Sequence, residues 1–190
     1  MAKNDARRAV LGDAGIALLA HSGARGLTHR AVDREAGVPL GTASNYFRSR
    51  DALIAGIFER IGERLAPSAV ELAERASRSP GRELFAEYIR DIVRRLSAES
   101  DVTRALFELR LDSARRPDLA QVLAPWLRAG FEADVAFNAA AGLPGGRLEV
   151  ALFHYAIDGL MLDLLTSPVD PDLDPDEAID ALVARILPEE

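Results

Sequence analysis

LTHRAVDREAGVPLGTASNYFRSRDAL, residues 27–53, is the stretch of sequence that decides the fold of this chain. Thr28 can cap a short helix over residues 29–36, because its hydroxyl accepts a hydrogen bond from a free N–H group of the first turn. Gly37 follows, and glycine readily takes the left-handed conformation that ends a helix. The pattern therefore predicts a short helix that stops abruptly at a turn.

A second short helix is predicted directly after this turn. Pro39 suits its first turn, where the missing proline N–H costs little, and the helix should reach about Phe47. Ser49 can cap a longer helix whose first turn carries Asp51 near the positive end of the helix dipole. Two helices around a glycine-containing turn are typical of the helix-turn-helix, whose second helix enters the major groove of DNA.

The rest of the chain shows apolar residues at helical spacing and no alternating pattern typical of a strand. Pro67 should end or kink the helix that Ser49 caps, since proline removes a backbone hydrogen bond and clashes with the preceding turn. Glycine and proline clusters separate the later segments. We predict an all-α fold of about nine helices, the others covering residues 6–20, 82–97, 101–114, 119–140, 147–166 and 175–187.

The net charge of −7 is divided unevenly along the chain. Residues 1–60 hold nine lysines and arginines against six acidic residues, whereas residues 61–190 hold fourteen against twenty-four. The positive excess therefore lies with the helix-turn-helix, and this is the sign expected of a surface that contacts phosphates.

The helix predicted over residues 147–166 is apolar around most of its circumference. A helix that is apolar on all sides is buried, so we expect one face on the chain's own core and another on a second copy. The expected dimer contacts are Leu152, Tyr155, Ala156, Gly159 and Leu162, with Leu182 and Ile186 of the last helix beside them.

A recurring pattern of small, capping and apolar residues runs through residues 8–53. It consists of Ala14, Leu18, Gly23, Gly26, Thr28, Val32, Ala36, Gly37, Val38, Gly41, Thr42, Tyr46, Phe47, Ser49, Asp51 and Leu53. With these residues the segment, about a quarter of the chain, resembles the DNA-binding domain of TetR-family transcriptional regulators.

The resemblance implies a helix-turn-helix DNA-binding domain over residues 1–48 and a helical ligand-binding and dimerisation domain over residues 49–190. It also implies a homodimeric repressor that binds a palindromic double-stranded DNA operator and is released by a small-molecule effector. Two positions depart from the family pattern: Asp33 stands where alanine is common, and Ser44 where an aromatic residue is common. Asp33 could pair with a neighbouring arginine such as Arg30, although it adds negative charge near the DNA-facing side.

Short polar residues on the second helix can bond base edges, and asparagine can bond adenine through two hydrogen bonds. Hydroxyls and arginines at helix ends suit phosphates. We predict DNA contacts from Thr28, Arg30, Leu40, Gly41, Thr42, Ser44, Asn45, Tyr46, Arg48 and Arg50. Lys3, Arg7 and Arg8 form an N-terminal arm that either reaches the DNA or frays in solution.

An effector pocket is expected on the later helices, because ligand pockets are mostly apolar with a few polar anchors. The candidate lining residues are Phe85, Tyr88, Leu106, Phe107, Trp126, Phe131, His154, Asp158 and Met161, each of which would equally suit a packed core. His154 and Asp158 lie four residues apart and could bond each other. They lack the nucleophile of a catalytic site and the further ligands of a metal site.

Several classes of function are excluded or disfavoured. The chain has no cysteine, which rules out disulfides and thiolate chemistry and fits a cytoplasmic protein. It has no apolar run long enough for a transmembrane helix, and its first residues do not form a secretory signal. The GLPGG segment lacks the Lys-Ser/Thr of a phosphate-binding loop. We therefore expect neither an enzyme nor a cofactor, and the alternative is a helical protein-interaction module or a regulator without a ligand pocket.

Overall fold

The computed structural model describes residues 2–187, with side chains from residue 4 onward, and this part of the chain contains ten α-helices. They are α1 (Ala2–Gly26), α2 (His29–Glu35), α3 (Thr42–Tyr46), α4 (Arg50–Arg64), α5 (Ala69–Ala76), α6 (Arg82–Ala98), α7 (Ser100–Ser113), α8 (Pro117–Ala140), α9 (Arg147–Leu165) and α10 (Pro175–Ile186). The predicted all-α fold is confirmed, with one helix more than the nine expected.

The additional helix arises at Pro67. Helix α4 ends at Arg64, and the chain begins again as α5 only after Ser68, whose hydroxyl accepts the N–H of Glu71 at 3.5 Å. Proline therefore ends the helix and does not merely kink it, and the residues beyond form a separate helix with its own cap.

Helix α3 is shorter than predicted, because Pro39 lies in a turn and not in the first turn of the helix. The N–H of Thr42 donates to the carbonyl of Pro39 at 3.1 Å, and Gly41 has φ 92°. This left-handed residue cannot belong to a right-handed helix, so α3 begins only after it. The prediction for Pro39 was wrong, since its spacing fitted both arrangements.

Residues up to Ala66 and Glu99–Leu127 form a first compact unit. The apolar stripe of α4 is buried against α1, α2 and α3 beneath the helix-turn-helix, and α7 and the start of α8 complete the same core. Its fully buried side chains include Leu11, Ile16, Leu19, Leu27, Leu53, Ile54, Ile57, Phe58, Ile61, Leu109 and Leu119.

The second compact unit contains Pro67–Ala98 and the chain from Arg128 onward. Here α6, α9 and α10 pack against one another. Phe85 of α6 lies against Phe153 of α9, with ring centroids 4.8 Å apart, and Met161 is fully buried. The functional division into residues 1–48 and 49–190 stays a prediction, since these two units describe only which helices pack together.

Within residues 2–187, none of the helices is long and apolar enough to cross a bilayer.

Candidate DNA-binding site and effector domain

The helix-turn-helix begins and ends as its sequence predicts. The hydroxyl of Thr28 accepts the N–H of Ala31 at 3.1 Å, which caps α2. Gly37 follows the end of α2 with φ 63°, and its N–H donates to the carbonyl of Arg34 at 3.1 Å. The predicted cap and the predicted helix-ending glycine are both confirmed.

Asp33 joins α2 to the start of α3. Its side chain is fully buried, and its two carboxylate oxygens accept the N–H groups of Gly41 and Ala43, both at 2.7 Å. N–H groups at a helix N-terminus have no partner within the helix and carry partial positive charge, so they stabilise a carboxylate there. The expectation that Asp33 pairs with an arginine such as Arg30 on the DNA-facing side was wrong, because the carboxylate points inward.

Two basic side chains hold the segments on either side of α2. The ring Nε2 of His29 lies 2.7 Å from the carbonyl of Phe47, and this ties the start of α2 to the end of α3. Arg50 donates from its two terminal nitrogens to the carbonyls of Ala24 and Leu27. The guanidinium of Arg50 is thus engaged within the protein, and its predicted phosphate contact stays a prediction that this placement does not favour.

Most of the other predicted DNA-contacting residues are exposed to solvent. Seven are exposed, namely Thr28, Arg30, Leu40, Gly41, Ser44, Asn45 and Arg48, while Thr42 and Tyr46 are half-buried. Among the described residues, Arg30 and Arg48 have no hydrogen-bond or ion-pair partner. Two unpaired guanidinium groups beside an exposed polar helix are well suited to phosphates.

Arg8 of the predicted N-terminal arm packs against α3. Its guanidinium lies 4.7 Å from the ring centroid of Phe47, donates to the carbonyl of Tyr46 at 3.4 Å and approaches Glu59 at 3.6 Å. Arg7 is exposed, and the side chain of Lys3 lies outside the described residues. The arm's contact with DNA stays a prediction.

Ion pairs connect α1, α4 and the residue that precedes α7. Arg60 donates to both oxygens of Asp13, at 2.9 and 3.0 Å, and Arg64 bonds Asp13 at 3.3 Å and also Glu99. The hydrogen bonds that Arg60 donates to Asp13 are the main reason that the pKa of Arg60 is raised above its ordinary value. These pairs bind the start of α7 to the helices of the DNA-binding segment.

A second connection reaches the other half of α7. The carboxylate of Glu108 accepts the N–H of Ala24 at 3.1 Å. Gly23 beside it has φ 68°, and a Cβ there would lie 2.9 Å from that carboxylate oxygen. Helix α1 is kinked at Gly23, and residues 24–27 beyond the kink, here called the loop before α2, are therefore held by Glu108 on one side and by Arg50 on the other.

Two clefts of about 230 Å³ each lie in the first unit. One is bordered by Gly23, Glu108 and Arg115, and the other by Arg8, Phe47 and Glu59. Neither is lined by a predicted pocket residue, and their charged walls differ from the mostly apolar walls of small-molecule sites.

The nine predicted pocket residues are divided between the two units. Leu106, Phe107 and Trp126 belong to the first unit, where Trp126 stacks on Phe58 with centroids 5.4 Å apart. The other six belong to the second unit, namely Phe85, Tyr88, Phe131, His154, Asp158 and Met161. Their role in effector binding stays a prediction.

His154 makes a contact that its spacing did not predict. Its Nε2 lies 3.1 Å from a carboxylate oxygen of Asp134 on α8, and the predicted bond to Asp158 stays a prediction. The imidazole also meets the ring of Phe131 edge-on at 5.5 Å, and the Arg147 guanidinium lies 4.7 Å over the same ring. These groups join α8 to α9. Within the described residues, no group of His, Asp and Glu side chains could hold a metal ion.

One face of α9 is apolar and open. Leu148, Leu152, Tyr155 and Leu162 are 66, 38, 71 and 49 % exposed, and Gly159 lies among them. Their steps of four and three residues form a heptad-like stripe, the spacing of helices that pack along a seam. The other predicted dimer residues, Ala156, Leu182 and Ile186, are half-buried.

Sequence reasoning missed the inward roles of Asp33, Arg50 and Glu108. For Asp33 helical spacing gave no clear signal, because consecutive helix residues such as Val32 and Asp33 do not share a face, although both are buried here. For Arg50 and Glu108 no local pattern was available, since their partners lie 23 to 84 residues away.

Comparison with known proteins supports the same architecture. The chain matches the family described as "Tetracyclin repressor-like, C-terminal domain" over residues 80–189, more than half of its length. No match was found among curated proteins.

Solved structures extend the likeness over nearly the whole chain. The multidrug binding protein EbrR complexed with imidazole is 27 % identical, with a TM-score of 0.70 over 97 % of this chain and 96 % of that one. A TetR-family member from Streptomyces coelicolor A3 is 27 % identical, with a TM-score of 0.72 over 96 % and 99 %. FadR from Bacillus subtilis, in complex with stearoyl-CoA, is 17 % identical over 94 % and 96 %, with a TM-score of 0.70, and shares the fold alone. TetR-family regulators are non-enzymatic DNA-binding proteins. The matched C-terminal domain, together with the helix-turn-helix in front of it, shows that this chain belongs to the TetR family of transcriptional regulators.

Proposed function

We propose that this protein is a ligand-responsive repressor that binds a palindromic operator as a homodimer and leaves it when a small-molecule effector binds. The observation that carries the DNA-binding part is the exposed surface of α3 with Arg30 and Arg48 unpaired beside it. Regulation by ligands is typical of the family. A protein acting on operator DNA would work in the cytoplasm.

Within this surface the roles divide by chemistry. Ser44 and Asn45 are exposed on α3 and can bond base edges, whereas Arg30 and Arg48 suit the backbone phosphates. Thr28 already uses its hydroxyl as a cap. We leave Arg50 out of the contacts, because its guanidinium holds the loop before α2.

DNA binding can be tested with a duplex selected from a random pool by the full-length protein. Replacing Arg48 by alanine (Arg48→Ala) should weaken binding to all sequences and lower the salt dependence by about one ion per protomer. Asn45→Ala should instead relax the base preference at one position of each half-site. Arg104→Ala is the control, since Arg104 of α7 is paired with Asp101 at 2.7 Å. The proposal fails if no duplex is selected, or if Arg48→Ala behaves like the control.

The homodimer is proposed to form through the open face of α9 with α10 beside it. Two-fold symmetry would place two recognition helices in major grooves about 34–36 Å apart or a multiple of that spacing. Leu152→Arg would put a charge into the seam and should yield a monomer in sedimentation experiments at micromolar concentration. Leu111→Arg, on an exposed leucine of α7, should remain a dimer. A wild-type monomer at that concentration would contradict this part.

The effector is proposed to be a small aromatic molecule bound in the second unit. Relatives that are 27–28 % identical over nearly the whole chain are EbrR complexes with imidazole, proflavin and ethidium. The second unit of this chain has its own aromatic contacts, including Tyr88 edge-on to Phe137 at 5.2 Å. These contacts offer flat, apolar surfaces on which an aromatic ligand could stack.

Effector binding should first be measured without DNA, because proflavin and ethidium intercalate into duplexes. We expect proflavin to raise the melting temperature of the protein and to change its own fluorescence on binding. The alternative is a regulator without a ligand pocket. Constitutive DNA binding with no thermal shift across a panel of aromatic ligands would support that alternative.

A further inference from the structure

Leu40 is an exposed apolar side chain in the middle of the helix-turn-helix surface. It is 69 % exposed and lies between α2 and α3, beside Gly41 and four residues before the exposed polar residues Ser44 and Asn45. An isolated exposed leucine on a surface needs no special explanation. Leu40 differs from such a residue because hydrogen bonds fix the turn that carries it.

The turn that carries Leu40 has a defined geometry. The N–H of Thr42 donates to the carbonyl of Pro39 at 3.1 Å, so Leu40 and Gly41 are the two central residues of a β-turn. Gly41 has φ 92° and ψ −7°, which is the third position of a type II turn and favours glycine. The hydroxyl of Thr42 also donates to the Pro39 carbonyl at 2.6 Å.

The buried carboxylate of Asp33 also holds this turn. Asp33 accepts the N–H groups of Gly41 and Ala43, which lie directly after Leu40. These bonds and the β-turn leave Leu40 no route into the core without breaking hydrogen bonds to a fully buried carboxylate. The leucine is therefore held outward on a rigid support.

The position of Leu40 next to α3 suggests that its side chain contacts a DNA base. The first residues of a recognition helix contact base edges in the major groove, and Leu40 lies two residues before that end of α3. The major-groove edge of thymine offers an apolar group, its C5-methyl, whereas guanine, adenine and cytosine offer hydrogen-bonding groups that a leucine would leave unpaired. We propose that Leu40 reads one thymine in each operator half-site by packing on its C5-methyl group; this inference rests on the proposed DNA-binding function.

The test removes the methyl group and nothing else. Once a duplex has been selected by the full-length protein, each thymine is replaced in turn by deoxyuridine, which keeps the base pair and its hydrogen bonds. At one thymine position in each half-site, this single replacement should weaken binding of the wild-type protein about fourfold, the factor expected for one buried methyl group. Leu40→Ala should bind the original duplex with the lower affinity and should no longer distinguish thymine from deoxyuridine.

Leu111→Ala is the matched control, because Leu111 is an equally apolar side chain, 59 % exposed, on α7. It should keep both the full affinity and the discrimination between the two bases. A tightly bound duplex in which no thymine methyl matters, or an unchanged discrimination in Leu40→Ala, would overturn this inference alone. Failure to select any duplex would instead overturn the proposed function, and the inference with it.

Discussion

Asp33 and Asp91 are both almost fully buried, and the chain stabilises their charges in different ways. Asp33 is held by two backbone N–H groups. Asp91 of α6 is held by the guanidinium groups of Arg75 at 3.2 Å and Arg95 at 2.9 Å. A buried carboxylate without such partners would cost several kcal/mol. Each of these residues therefore fixes the elements that supply its partners.

Asp33→Asn tests the link between α2 and α3. The amide group keeps one acceptor oxygen but turns an N–H₂ group towards the second backbone donor, so the free energy of unfolding should fall by about 2 kcal/mol. Urea denaturation measures this, and affinity for the selected duplex should fall as well. Asp51→Asn is the control. Asp51 is an exposed carboxylate in the first turn of α4, and its replacement should lower the free energy of unfolding by only about 0.5 kcal/mol. Equal losses for the two variants would argue against the role given to Asp33.

Asp91→Asn tests the buried ion pairs of the second unit. Burial alone would raise the pKa of Asp91, but hydrogen bonds from Arg95 and Arg75 outweigh burial and hold this pKa below the ordinary value. The stability that it supplies is therefore fully present above about pH 4, the unfolded value, and is lost as the pH falls through the lower folded value. At neutral pH the free energy of unfolding of Asp91→Asn should be about 3 kcal/mol lower than that of the wild type, because Arg75 stays buried without a charged partner.

Urea midpoints of wild type and Asp91→Asn, measured from neutral to acid pH, should converge in acid. Asp172→Asn serves as the control, since the Asp172 side chain is exposed and has no partner among the described residues. A difference between wild type and Asp91→Asn that stays constant with pH would show that the carboxylate charge does not matter.

At the scale of elements, α7 belongs with the DNA-binding helices. Its largest set of contacts is with α1, Arg64 bonds Glu99 just before its start, and Glu108 bonds the loop that precedes α2. Because that loop leads directly to the cap Thr28, the position of α7 and the start of α2 are physically connected.

Glu108→Ala tests this connection. The variant removes the acceptor for the N–H of Ala24, so stability should fall by about 1 kcal/mol, and looser placement of α2 should weaken affinity for the selected duplex. Thermal denaturation and fluorescence anisotropy measure the two effects. Glu74→Ala, on an exposed glutamate of α5 without a side-chain partner among the described residues, should change neither. Full DNA affinity in Glu108→Ala would show that the loop keeps its place without this bond.

At the scale of the whole molecule, the core beneath the helix-turn-helix draws on distant parts of the chain. Val102, Ala105 and Leu109 of α7 are fully buried in it, and Leu119 and Leu123 of α8 are nearly so. The first 66 residues would expose that core if they were cut from the rest.

A fragment of residues 1–66 should therefore lack a cooperative thermal transition in circular dichroism. In the full chain, Leu109→Ala should lower the free energy of unfolding by about 3 kcal/mol, the size expected for a leucine truncated in a packed core. Leu111→Ala lies one half-turn away on the exposed face of α7 and should be nearly neutral. A fragment that unfolds cooperatively with the stability of the full chain would contradict this reading of the core.

Much of the fold and part of the site follow from local pattern. Thr28, Gly37 and Ser49 set the ends of helices through bonds to neighbours three or four residues away, so the sequence alone predicts them. The apolar stripe of α4 and the open face of α9 follow from helical spacing. The start of α3 was misplaced because Pro39 fits a turn as well as a first helical turn, and the choice depends on Asp33 and Gly41 together.

The sequence by itself determined that the chain is all-helical and carries a helix-turn-helix, because helices are built from backbone bonds between near neighbours and from a repeating apolar period. Only the tertiary structure decided that Asp33 points inward to support the turn bearing Leu40, and that Glu108 reaches a backbone 84 residues away. Such contacts depend on which helix faces meet in three dimensions. Local spacing along the chain does not determine which faces meet, so from the sequence alone Asp33 was expected to add negative charge near the DNA-facing side.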